Sequence, residues 1–284
     1  MIIDIHTHTF PAKIAALAVE KLSRTSHTLP FSDGTPEGLL SNMQRAGIDR
    51  SVILPVATAA RQVEHINDSS ARLNEEYENK GLFSFGCVHP DHECYREELA
   101  RVKTLGLKGI KIHPVYQGVN LDDIRFLRIL DRAAELDLAV IAHAGYDIGF
   151  PGVVRCSPSM ARNVIDQIGQ FRLILAHMGG WRQWDEVPQL LADTGVYIDT
   201  AFSTGSFHPL DDGHWKTKEE TDMMDTDQFM TLYHAFGPER IFFGTDSPWS
   251  DPQESLEFIQ NLPLPQADRE KILGDNALKL LNLK

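Results

Sequence analysis

The chain is expected to fold as a single (β/α)8 barrel over residues 1–284, and three observations predict it. Short apolar, β-branched runs alternate eight times with longer helical patterns. Several runs are almost continuously hydrophobic, as strands covered on both faces of a parallel sheet must be. The length of 284 residues with 42% hydrophobic content suits one large barrel domain. A doubly wound open sheet is the alternative topology. Its dinucleotide-binding form is disfavoured, because no G-x-G-x-x-G follows the first run.

The strand candidates are residues 2–6, 51–56, 82–88, 107–113, 138–143, 172–177, 196–199 and 240–245. Thr35-Pro36 opens the first helix, with Thr35 as N-cap and proline at the first helical position, and Gly47 stops it. Residues 121–136 place Ile124, Leu127, Ile129, Leu130, Ala133 and Ala134 on one helical face. Ser157-Pro158 opens another helix, running to Ile168-Gly169. Residues 185–191, 225–236 and 251–262 fill the remaining slots, and helices over 266–273 and 276–283 close the chain. The polar stretch 203–226 reads as a long loop at the C-terminal mouth, where long loops tend to be functional or mobile.

The charge balance is acidic: 27 Lys and Arg against 40 Asp and Glu leave −13. With no basic stripe, a nucleic-acid partner is not expected. Cys87, Cys94 and Cys156 form neither a disulfide framework nor a zinc-site spacing, so they read as reduced, structural thiols. No apolar run is long enough to span a membrane. The opening Met1-Ile2-Ile3-Asp4-Ile5-His6 has no signal-peptide pattern, so a cytoplasmic location is expected.

Polar side chains able to bind ligands gather at the strand ends: His6 and His8, Lys111 and His113, His143, His177, and Asp246. In a barrel that end carries the active site. His6 and His8, two apart on a strand, share one face. With His143 and Asp246 they make three nitrogens and a carboxylate, a donor set that favours zinc, with manganese, cobalt or iron as alternatives. Each alone has an ordinary reading: His143 a hydrogen-bonded core imidazole, Asp246 a helix N-cap. Their joint placement after strands one, five and eight argues for a metal site. His177 is expected to be the acid–base residue; a fifth ligand or a residue supporting the ligands is the other reading. Lys111 and Arg155 are candidates to hold a substrate carboxylate, and Lys111, if carbamylated, to bridge two metals. His113 could bind substrate or metal, or serve structure. Trp249, like Phe202 and Trp181, could wall an apolar part of the pocket.

The motifs His6-Thr7-His8, Gly109-Ile110-Lys111-Ile112-His113-Pro114, His143-Ala144-Gly145, His177-Met178-Gly179-Gly180, Phe243-Gly244-Thr245-Asp246-Ser247-Pro248 and Ile272-Leu273-Gly274-Asp275-Asn276-Ala277 run in order along nearly the whole chain. Together the chain resembles the amidohydrolase superfamily, in its amidohydrolase-related branch that includes aminocarboxymuconate semialdehyde decarboxylase. The resemblance implies a metal-bearing (β/α)8 barrel with His6, His8, His143 and Asp246 as ligands and His177 as the acid–base group. It also implies a choice of activities: hydrolysis, non-oxidative decarboxylation and, in one member, hydration. The segment between the first strand and Pro36 is shorter than in the larger decarboxylases of that branch.

The expected function is a metal-dependent hydrolase that acts on a small carboxylated or cyclic substrate through metal-activated water, with Asp246 both a ligand and the catalytic group that takes the water proton. The alternative is a non-oxidative decarboxylase of a small unsaturated or aromatic acid, and a third reading is a metal-binding module without activity. The expected partner is a small-molecule substrate. Apolar patches around Trp215 and Trp249 are candidate homodimer contacts.

Overall fold

The computed structural model describes residues 1–282. Its strands in chain order are β1 (Ile3–Thr7), β2 (Arg50–Ile53), β3 (Leu82–Ser84), β4 (Gly86–Cys87), β5 (Gly109–Ile112), β6 (Ala139–Ala142), β7 (Leu173–Leu175), β8 (Tyr197–Asp199) and β9 (Ile241–Phe242). All pair in parallel, as β1-β2-β3 and as β4 through β9 in order. β3 and β4 are halves of one barrel strand broken at Phe85, whose N–H still donates to Ile53 O at 2.9 Å. The ring closes between β9 and β1. Ile5 N–H donates to Phe243 O at 3.0 Å, Asp246 N–H to His6 O at 2.8 Å, and His8 N–H to Ser247 O at 2.7 Å. Eight strand positions therefore form the (β/α)8 barrel that the alternation predicts.

Local signals place several helices where expected. Thr35 Oγ1 accepts from Gly38 N at 3.0 Å to open Pro36–Ala46, and Ser157 Oγ accepts from Met160 N at 3.2 Å to open Pro158–Ile168. The helix expected over 121–136 starts later, at Ile124, because the Asp123 side chain caps it. Of the closing helix, Asn276–Leu281 is seen, and Leu283 of the expected span lies outside the described residues. Among the described residues, no helix is long and apolar enough to cross a membrane.

Among the described residues, three helices of ten or more residues escape the periodicity reading: Ala12–Ser26, Val63–Tyr77 and Tyr95–Thr104. Val63–Tyr77 buries Asn67 and Ser70 beside Val63 and Tyr77, so its inner face is half polar. The buried amide of Asn67 is satisfied by Cys87 N at 2.7 Å, Cys87 O at 3.1 Å and Glu98 Oε1 at 2.6 Å. Ala12–Ser26 likewise buries Ser23 and Ser26, and it also exposes Ile14 and Leu17. Where burial does not follow polarity, a hydrophobic period cannot show it.

One apolar cluster joins Ile3, Ile5, Val52, Leu54, Phe85, Ala139, Ile141, Ile174 and Phe242 to Ala277 and Leu281 of the last helix. A larger one lies between strands and helices, with Leu99, Ile110, Phe126, Ile129, Val164 and Phe243 among its members. Packing at the far end leaves the C-terminal ends of the strands to polar residues. The 203–226 segment folds back over that end. It contains the short helix Lys218–Thr221 and pairs with the chain after the first helix, through Leu29 N–H to His208 O at 2.8 Å and Leu210 N–H to His27 O at 2.9 Å.

Candidate metal centre

The strands stop just short of the residues that carry chemistry, and the backbone then bends to turn those side chains inward. His177, Met178 and Asp246 have φ of 60°, 55° and 65°, a left-handed conformation that costs a non-glycine residue about 1–3 kcal/mol. Hydrogen bonds hold each bend. Asp199 Oδ1 accepts from His177 N at 3.0 Å, Asp199 O from Met178 N at 2.6 Å, and His6 O from Asp246 N at 2.8 Å. Such bends at the rim of a barrel are a mark of a working site rather than of economical folding.

Four imidazoles meet there, and the outer nitrogen of each faces an acceptor. His6 Nδ1 donates to Asp199 Oδ2 at 2.9 Å, and His8 Nδ1 to Leu54 O at 2.8 Å. His177 Nδ1 donates to Ala201 O at 2.8 Å, and His143 Nε2 to Tyr146 O at 3.2 Å. A carbonyl can only accept, so the tautomers of His8, His177 and His143 are fixed, and for His6 the Lys111 ammonium, which can only donate, makes Nε2 the acceptor and leaves the proton on Nδ1. The inner nitrogens are left as lone pairs. His6 Nε2 and His8 Nε2 face the same oxygen, Asp246 Oδ1, at 3.2 and 3.1 Å. His177 Nε2 faces His143 Nδ1 at 2.9 Å. Lone pairs directed at one another repel, and a cation among them removes the conflict.

The electrostatics point the same way. Burial, and then the Lys111 charge, hold His6 well below the usual imidazole range. Burial, followed by neighbouring imidazoles, does the same to His143, and burial lowers His177 against the pull of Asp246. The rings are therefore neutral and ready to bind metal at neutral pH. Lys111 is 1% exposed, and its Nζ donates to His6 Nε2 at 3.0 Å. Burial pushes Lys111 down and Asp199 up from their ordinary values. Around His6 the carboxylates of Asp199 and Asp246 stand against this one ammonium, which leaves the centre short of positive charge. Nitrogen and carboxylate donors, neutral rings and a charge deficit all fit a divalent cation.

Of the expected ligands, His6, His8 and Asp246 converge so that one donor atom from each lies within 4.8 Å of the others. His143 groups instead with His113 and Asp147, and reaches the first three through His177, whose ring centroid is 4.6 Å from that of His143 and 5.2 Å from that of His6. His113 Nδ1 accepts from Tyr116 N at 3.4 Å and caps the turn Pro114–Gln117, and its ring stacks on His143 at 4.1 Å. The Arg155 guanidinium is bonded to Asn120 Oδ1 at 3.1 Å. Trp249 N–H donates to Asp246 O at 2.9 Å, so the indole leaves the chain next to the metal loop.

The sequence reading missed Asp4, Asp147 and Asp199. Asp199 is a lone acid ending the apolar run Val196-Tyr197-Ile198, a signal that was available. Asp4, pushed up to about 7 by burial, accepts from His6 N and Thr245 N at 3.0 Å and from Thr245 Oγ1 at 2.5 Å. It ties the two segments that carry His6 and Asp246. Asp147 sits in a loop and had no periodic signal.

The amidohydrolase family profile matches residues 3–283, and the chain belongs to that family. It is 27% identical over 135 residues to the gamma-resorcylate decarboxylase of Rhodococcus jostii (strain RHA1), a match covering 44% of this chain and 38% of that protein. A 2,6-dihydroxybenzoate decarboxylase complexed with 2,6-dihydroxybenzoate has the same fold, with a TM-score of 0.70, 16% identity and 99% of each chain covered. So does a dihydroxybenzoic acid decarboxylase from Polaromonas sp. JS666 with bound manganese and the inhibitor 2-nitroresorcinol, with a TM-score of 0.69, 16% identity, and 99% of this chain and 97% of that one covered. These findings correct the expectation of a hydrolase: the relative and the two solved structures just described are decarboxylases of aromatic acids. The motifs shared by both activities had not separated them.

Proposed function

We propose that this member of the amidohydrolase family is a metal-dependent, non-oxidative decarboxylase of a small aromatic carboxylic acid. The observation that carries this reading is the buried ammonium of Lys111, which donates to His6 Nε2 at 3.0 Å in a centre short of positive charge. It is a fixed cation for an anionic substrate, beside a set of donors for a second one. The decarboxylase relatives supply the reaction class.

His6, His8 and Asp246 would hold the metal, with His143 turned to the same centre through Nδ1. Manganese, as in the related structure, and zinc, as the donor set suggests, are the candidates. A bound divalent cation would supply Lewis-acid attraction for the oxygens of the substrate.

Loss of carbon dioxide leaves its electron pair on a ring carbon, and that carbon must gain one proton. With Nδ1–H committed to Ala201 O, neutral His177 can serve only as a relay at Nε2, taking up a proton that comes from water and passing it to the ring carbon. The Asp246 carboxylate is the second group able to pass that proton. Lys111 would hold the departing carboxylate, with Trp249 beside the metal loop as a wall for the ring.

The test is to incubate the metal-loaded protein with a panel of hydroxylated benzoates and measure carbon dioxide and phenol together. The reading predicts equal amounts of both, lost in His177→Ala. Turnover of esters or amides with no carbon dioxide from any acid would contradict it.

A further inference from the structure

Asp147 lies outside the expected ligand set, yet it is buried against two of the site's imidazoles. Its Oδ2 stands 3.4 Å from His113 Nε2 and 3.7 Å from His143 Nε2. The two rings are stacked 4.1 Å apart at 14°, so both present the same edge to one carboxylate. Its Oδ1 accepts from Gly149 N at 2.7 Å, which fixes the carboxylate on its own turn. The turn is held further back by Gly145, at φ +84°, where a Cβ would come within 2.1 Å of Trp181 N.

A second metal at His113, His143 and Asp147 is not what these contacts describe. His113 Nδ1 already accepts from Tyr116 N, so its proton sits on Nε2 and points to Asp147. Nε2 is then a donor, not a ligand atom. His143 Nε2 faces only acceptors, Tyr146 O at 3.2 Å and Asp147 Oδ2 beyond it.

We propose that Asp147 is a positioning residue: with Tyr146 O it keeps the proton of His143 on Nε2 and thereby turns a bare Nδ1 toward the centre. The consequence for metal binding rests on the metal-centre reading above; the tautomer does not. Outer acceptors of this kind fix ring orientation and basicity, and their loss costs about 10–100-fold in metal affinity.

The decisive variant is Asp147→Asn. Its amide oxygen can keep the Gly149 bond while its NH₂ replaces Oδ2, so a donor now faces His143 Nε2. Two readouts apply: the His143 tautomer by ¹⁵N–¹H NMR of metal-free protein, and zinc affinity by calorimetry. The proposal expects Nε2–H in wild type, a shift toward Nδ1–H in the variant, and an affinity loss of about 10–100-fold with little change in the urea midpoint. An unchanged tautomer in the variant overturns the positioning role, whatever the metal does. Should the variant fail to fold, Nδ1–H on His143 in wild type overturns it alone. A wild type that takes up no zinc, with the tautomer still shifted by Asp147→Asn, overturns the metal centre and leaves the positioning role in place.

Discussion

Asp199 Oδ2 lies 2.9 Å from His6 Nδ1, and the two side chains are 0% and 1% exposed. One carboxylate, at the end of β8, thereby decides which nitrogen of a residue in β1 faces the centre. The other oxygen of Asp199 accepts from His177 N and Ala201 N at 3.0 and 3.1 Å, so the same group also shapes the bend that carries His177.

Asp199→Asn therefore tests the arrangement. An amide NH₂ opposite Nδ1 reverses donor and acceptor and moves the His6 proton to Nε2. Metal affinity should fall about 10–100-fold by calorimetric titration. Equal affinities in the two proteins would show that Asp199 does not set the tautomer.

His177→Ala separates chemistry from binding. His6, His8 and Asp246 converge without it, so metal content should persist. Turnover should drop by about 10²–10⁴, the usual worth of a positioned proton donor. A variant that loses its metal as well would make His177 a ligand instead.

The pH dependence of the metal-free protein follows from the buried groups. Burial holds His6, His113, His143 and His177 below the ordinary imidazole value. Below about pH 6.5 the unfolded chain takes up protons that these rings refuse, so they destabilise the fold as pH falls. Asp4, at about 7, and Asp199, also raised by burial, work in the opposite direction, since the folded state protonates them first. Four imidazoles outweigh two carboxylates. The urea midpoint should decline from pH 6.5 to 5.5, as the unfolding free energy falls by at most about 3 kcal/mol per pH unit. A midpoint that rises over that range would mean the carboxylates dominate.

The barrel was legible because its strands are apolar on both faces and its helices carry caps such as Thr35, Asp123 and Ser157. The helix Val63–Tyr77 was not, since Asn67 and Ser70 face inward and are satisfied by the strand beside them. His6, His8 and Asp246 were legible from spacing and strand ends. His143 lies one ring away through His177, which itself sits on a backbone bend at φ 60° that no spacing rule contains. The carboxylates Asp4, Asp147 and Asp199 contact the site's histidines or their backbone, so a search for ligand spacing passes over them. The motifs did not separate hydrolysis from decarboxylation, and the reaction named for the relatives favours the second.

The most direct test of the centre is metal content by elemental analysis of the wild type, His6→Ala and Asp246→Asn. The account predicts about one equivalent of a divalent metal per wild-type chain, with most of it gone from both variants. A wild type with no bound metal after reconstitution, or variants that keep a full equivalent, would contradict it.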